Sequence, residues 1–203
     1  MKNPAQIWSY VVAGWSGFYV MVVELLSGRL IAPYFGSSIY VWGSVIFVFM
    51  LGLAIGYLLG GLYSRRDPSL AKLCAILAIA ALVTLPAVFA STPVLDAVFD
   101  RTTDPRAGSL ITCFLLYFLP PVFSGMVSPY AIRLIVSDQA SSGRNAGYLY
   151  FVSTVGSSAG TLLTSFYFVV WGEVNTILLT AMAVSLALAG LGLLVARKNE
   201  TSA

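Results

Sequence analysis

"IYVWGSVIFVFMLGLAIGYLLGGL", residues 39 to 62, decides the class of this chain. It holds no charged side chain from end to end. Crossing a bilayer takes about 20 predominantly apolar residues, and over that length only a helix satisfies its own backbone within the segment. The stretch therefore predicts a membrane-crossing helix. The composition around it agrees: 203 residues, 59% hydrophobic and 9% charged, with a mean hydropathy of +0.89. Soluble domains carry about 25% charged residues, so this supply cannot cover a water-facing surface.

Working outward, six segments qualify as spans: 7–30, 39–62, 70–90, 109–132, 146–170 and 174–195. The expected fold is an all-α integral membrane protein, a single six-transmembrane-helix bundle over residues 1–203. The longest polar gap, 91–107, is too short for a second domain, and "FDRTTDPRAGS", residues 99–109 at its end, is expected to form an ordered polar turn. The first apolar run is too long for a signal-peptide core and has no small-residue cleavage site after it, so it reads as an uncleaved span.

Lysine and arginine bias predicts orientation. One side collects Lys2, Arg65, Arg66, Lys72, Arg133, Arg144, Arg197 and Lys198; the other holds Arg29, Arg101 and Arg106. Both termini are therefore expected in the cytoplasm. The formal net charge of +3 is too small to suggest nucleic acid. With no histidine in the chain, the commonest general base and metal ligand is missing, and neither a Ser–His mechanism nor a zinc site is expected. Cys74 and Cys113 fall in different apolar segments and read as buried hydrophobes rather than a disulfide. No cofactor and no metal is expected.

Helix contacts follow from small residues. Gly52, Gly56 and Gly60 recur every four positions in the second span, and Gly156 and Gly160 repeat the device in the fifth. Such strips let a neighbouring backbone approach closely, within one bundle or across a dimer. The fourth span carries Pro120, Pro121, Gly125 and Pro129. Each proline removes a donor and clashes with the turn before it, so this helix is expected to kink or break. Broken helices in membranes either pack irregularly or frame a substrate cavity.

"VVELLSGRLIAPYFGSS", residues 22 to 38, places Glu24 and Arg29 inside or beside the first span. Gly14, Gly17, Met21, Glu24 and Gly28 recur at steps of three and four, so they share one small, polar face that turns Glu24 into the bundle. Arg29 lies about 140° further round and meets Glu24 only if the helix unwinds near Gly28. Two readings stand: a functional centre, the default for an intramembrane acid, or a structural arrangement with tyrosine hydroxyls while Arg29 snorkels outward. Arg133 either neutralises helix-terminal carbonyls or meets lipid phosphates. Tyr10, Trp15, Tyr19 and Tyr117 are belt and packing residues, or else the aromatic wall of a cation site.

Several stretches together, "ELLSGRLIAPYFGSSIYVWGSVI", "GYLLGGLYSRRDPS", "GMVSPYAIRL" and "GRNAGYLYFVSTVGSSAGTLLTSF", resemble the membrane domain of bacterial spermidine synthase-like membrane proteins. That family joins a major-facilitator-like membrane part to a spermidine synthase part. The resemblance implies a bundle like half of a major facilitator transporter, in a bacterial inner membrane. It adds Tyr34, Pro129, Arg133, Tyr150 and Thr154 to Glu24, Arg29, Tyr19 and Tyr117 as candidate ligand-binding residues. The family's cytosolic aminopropyltransferase-like domain has no counterpart in these 203 residues, so its chemistry is expected in a separate partner. Arg65 stands where the major-facilitator loop has an acid, and Asp67 comes two positions later, which argues against a charge-relay gate of that kind.

Two functions are expected in competition. One is binding or transport of a polyamine-type cation at Glu24 by a homodimer; the other is a non-transporting membrane anchor for a cytosolic synthase-like protein. An enzyme is not expected, for no acid pair or nucleophile arrangement is present.

Overall fold

The computed structural model describes residues 4–136 and 139–200. Lys2, which enters the charge reading above, lies outside the described residues. Every regular element among the described residues is helical.

Helix α1, Pro4–Phe35, is continuous over 32 residues. It passes through Gly28 without unwinding, and Pro33 falls in its last turn. Gly36 ends it with φ +87, a left-handed conformation open to glycine at little cost, and donates its N–H to the Ala32 carbonyl at 2.8 Å. Helix α2 is Ile39–Tyr63. The third span is α3, Leu70–Leu82, followed after a short break by α4, Leu85–Phe89. Ser69 caps α3 by accepting from the Lys72 N–H at 3.2 Å.

The gap at 91–107 departs from the expected turn. It contains α5, Ser91–Arg101, and the start of α6, Pro105–Tyr117. Leu95 and Val98, three residues apart, are buried while Asp96 and Asp100 are exposed, so α5 is a short amphipathic helix. Asp104 caps α6 by accepting from the Arg106 N–H at 2.9 Å.

The fourth span is an elbow. Helix α6 meets α7, Leu119–Ile135, at 56°. The bend falls just before Pro120 and Pro121, which occupy the first turn of α7, where a missing N–H is tolerated. Pro129 sits inside α7 without ending it.

Helix α8, Gln139–Leu163, continues through a π-helical turn, Thr164–Phe168, into α9, Val169–Trp171. Helix α10 is Val174–Glu200. Among the described residues, four helical stretches are long and apolar enough to cross a membrane, or five if the bent α6–α7 pair counts as one. The remaining segments of the expected six do not meet that measure of length and apolarity. Helix α8 is as long as α2, at 25 residues each, but its serine, threonine, glycine and asparagine content keeps it outside that set.

Three helix pairings dominate: α1 with α8, α2 with α7, and α3 with α10. The glycines determine the first two. On α2, Gly52 faces the Pro121 ring, Gly56 faces the Val122 carbonyl and Gly125 Cα, and Gly60 faces the Met126 backbone. Positions rise together along both helices, so they run parallel. On α8, Gly156 faces the Gly14 carbonyl and Gly160 the Phe18 backbone, again in parallel. At Gly56, Gly60, Gly156 and Gly160 a Cβ would meet backbone, and at Gly52 the Pro121 ring, which glycine avoids.

Two apolar cores stack along the bundle. One joins Tyr19 to Phe35 of α1 with the first half of α2, α6 and the start of α10; Cys113 lies in it. The other joins the first half of α1 with α3, the end of α7 and the end of α10; Cys74 lies there. Both cysteines are free and buried. The first turns of α1, the α2–α3 loop and the last turns of α10 consequently share one end of the bundle.

Candidate functional site

Glu24 sits two turns beyond Gly17 on α1 and one turn before Gly28. Gly17 packs against Ser153 and Ser157 of α8, and Gly28 against the Trp42 ring of α2. The face carrying Glu24 therefore lies between α8 and α2, and the side chain is half-buried. Among the described residues its carboxylate has no hydrogen-bond or ion-pair partner; only its backbone carbonyl is engaged, by the Ser27 hydroxyl at 2.7 Å. An unpaired carboxylate within a membrane helix is costly and calls for a counter-ion.

Arg29 is not that counter-ion. Because α1 stays helical, Arg29 points away from Glu24, is exposed, and donates Nη1–H to the Val169 carbonyl at 3.1 Å. That carbonyl lies in the final turn of α9, where no later N–H reaches it.

The other candidate side chains are dispersed. Tyr19 is fully buried and turns towards α3, donating to Thr84 Oγ1 at 2.7 Å, while Thr84 donates to the Ala80 carbonyl at 3.0 Å. Tyr117 is fully buried in α6, its hydroxyl without a partner among the described residues. Tyr34 donates to Asp96 Oδ1 at 2.8 Å and so ties α1 to α5. Tyr150 and Thr154 are exposed on the side of α8 turned away from α1. Tyr150 lies within electrostatic reach of Tyr57 on α2. Pro129 is half-buried within α7, and Arg133 is exposed in its last turn. Of the proposed aromatic wall, Trp15 donates Nε1–H to Ser185 Oγ at 2.8 Å, and Tyr10 lines a cleft near the start of α1 with Arg144 and Tyr148.

Sequence reasoning missed Thr164. Helices α1 and α8 are parallel with Gly17 beside Ser157, so Thr164, seven residues on, stands level with Glu24, seven residues beyond Gly17. Its hydroxyl is buried without a partner among the described residues. It opens the π-helical turn, a local widening often found at functional positions. Nothing in the residue pattern announces a π turn, so no signal was available.

In the α2–α3 loop, Asp67 adopts φ 43, and its carbonyl and that of Arg66 accept from Lys72 Nζ at 2.9 and 3.0 Å. The Tyr130 hydroxyl accepts from the Ser69 N–H at 3.1 Å. Arg65 and Arg66 remain exposed.

These features define an all-helical protein with several helices apolar enough to span a membrane and one unpaired acid inside the first. Comparison with protein-family models, with curated proteins and with solved structures yields no match.

Proposed function

We propose that the chain is the membrane unit of a spermidine synthase-like system, a six-helix bundle that binds a small organic cation of the polyamine type at Glu24. The observation that carries this reading is the half-buried Glu24 carboxylate without a partner among the described residues. An ammonium group supplies the missing charge, and the buried Thr164 hydroxyl at the same level, without a partner among the described residues, supplies a neutral acceptor.

The helix pairings support the half-transporter topology. Exchanging α1, α2 and α3 with α7, α8 and α10 maps the α1–α8 pair onto α7–α2 and the α3–α10 pair onto itself. Inverted three-helix repeats in transporters have this pattern, with α8 and α9 as the fifth span. The orientation follows the positive charges: Arg65, Arg66, Lys72, Arg197 and Lys198 gather where the chain begins and ends, the cytoplasmic side of a bacterial inner membrane.

A homodimer completes the site. Helix α8 exposes Tyr150, Thr154, Ser158, Thr161 and Ser165 along one face. Hydroxyl groups facing lipid are poorly accommodated, and a second copy would cover them. Two chains then contribute two Glu24 carboxylates, which suits a ligand with two or more ammonium groups.

The test is binding of labelled spermidine to purified protein in lipid nanodiscs. Glu24→Gln is expected to weaken it about tenfold or more. Equal binding by wild type and variant, or none by either, removes the proposal.

The anchor reading keeps one supporting observation, the exposure of Arg65, Arg66, Arg133 and Arg144. Under it, a cytosolic synthase-like protein co-purifies from membranes in mild detergent, and an Arg65→Glu, Arg66→Glu double variant releases it.

A further inference from the structure

A second feature lies away from Glu24 and is independent of the function proposed above. Trp15, Phe18 and Val22 of α1 form one wall of a groove of about 450 Å³, closed by the π turn and by α10 through Phe168, Ile177 and Thr180. This volume falls in the range of small-molecule sites, about 300–1,000 Å³. The groove opens on the outer surface of the bundle: of its rim residues, Trp171 is 86% exposed and Tyr167 55%.

Its lining is apolar and settled. Trp15 and Phe18 stack at 5.0 Å, and Phe168 meets Phe18 edge-on at 6.3 Å. The polar atoms nearby are already used, the Trp15 N–H by Ser185 at 2.8 Å and the Thr180 hydroxyl by the Thr176 carbonyl at 2.7 Å. What remains is a slot for hydrocarbon.

One charge stands at its end. Trp15, Phe18, Val22 and Arg29 recur at three, four and seven residues, so they lie on one stripe of α1. Arg29 is seven residues past Val22, about 10 Å further along the axis. Its guanidinium has five donors, and among the described residues only the Val169 carbonyl takes one. Glu173, near the rim, makes no ion pair with it among the described residues. A cation fixed above an apolar slot matches a molecule with a phosphate at one end and an alkyl chain below it.

We propose that the groove binds one anionic phospholipid of the surrounding bilayer, an acyl chain lying along Trp15 and Phe18 and the phosphate on Arg29. Arginine suits that task because its planar fork takes two phosphate oxygens at once. Thr180 on α10 and Phe168 in the π turn face the same chain, so the lipid would fasten the end of α8 to α1 and α10.

The test uses intrinsic fluorescence. A Trp8→Phe, Trp42→Phe background leaves Trp15 and Trp171, both in the groove, as the only tryptophans. The protein is placed in phosphatidylcholine vesicles containing brominated phosphatidylglycerol or brominated phosphatidylcholine, whose chains quench tryptophan on contact. Phosphatidylglycerol is expected to quench as if enriched about fivefold at the groove. Arg29→Gln should abolish that preference, Arg29→Lys should restore part of it, and Thr180→Phe should reduce quenching by both lipids. The proposal is overturned if the preference survives Arg29→Gln, or if Thr180→Phe leaves quenching unchanged. It is also overturned if added inorganic phosphate removes the preference, which would mark a free anion as the ligand. Loss of quenching as the protein-to-lipid ratio rises would place a second copy in the groove and equally end it.

Discussion

The α2–α7 and α1–α8 contacts are both parallel and glycine-lined, yet they are set in different surroundings. Around Gly52, Gly56 and Gly60 the neighbours are Pro121, Val122 and Met126, and the contact is backbone against backbone in an apolar setting. Around Gly17 and Gly156 the neighbours include Ser153 and Ser157, and the far side of α8 exposes Thr154, Ser158 and Thr161. The same spacing device thus does two jobs. In one place it locks two apolar helices; in the other it holds a polar helix against the helix that carries the half-buried Glu24. Close approach by itself says little about function, and the groups flanking it say more.

The largest expected effect tests whether the two contacts are equal as locks. Gly56→Ala and Gly156→Ala should each destabilise the protein by about 1–3 kcal/mol, since both new methyl groups meet backbone that cannot move aside. The double variant should be additive, because the two contacts share no partner. Thermal unfolding in detergent reads both numbers. If Gly156→Ala is neutral, α8 is free to shift and the comparison fails.

A smaller effect probes the end of the polar pair. Arg29→Gln removes the bond to the Val169 carbonyl and should cost about 1 kcal/mol of stability. Proteolysis should then show earlier cleavage near 164–172 and unchanged cleavage near the α6–α7 elbow. Cleavage rising equally at both places would mean that the bond is not local in its effect.

The smallest effect sharpens the contrast. Ser157→Ala beside Gly17 should change stability by no more than about 0.5 kcal/mol, because the glycine backbone rather than the hydroxyl sets the approach. A loss matching that of Gly156→Ala would shift the credit to the serine.

Much of the fold could be read in advance, and the misses have physical causes. Uncharged runs such as 39–62 need no context, because hydrocarbon leaves the backbone no alternative to a helix. Helix α5 escaped notice because two buried residues, Leu95 and Val98, outweigh a polar composition only once a surface exists for them to cover. The elbow was expected within the fourth span on account of its prolines, yet Pro129 lies inside α7 without ending it and the break falls before Pro120. Proline at the first turn loses nothing, so the chain breaks where a new helix can start with one. At the site, periodicity placed Glu24 and Arg29 on different faces of α1, since that depends only on 100° per residue. The dispersal of Tyr19, Tyr34, Tyr117 and Tyr150 depends on which helix packs on which side, and spacing along one helix carries no such information.

Helix α1 has a further consequence through its length. At about 1.5 Å per residue, its 32 residues measure roughly 48 Å, against about 30 Å of bilayer hydrocarbon. The surplus has to lean or protrude. In a thinner membrane the rod leans further, and the height of Arg29 above the fatty layer changes with it. Membrane thickness therefore acts on this protein through its longest rod, before any solute arrives.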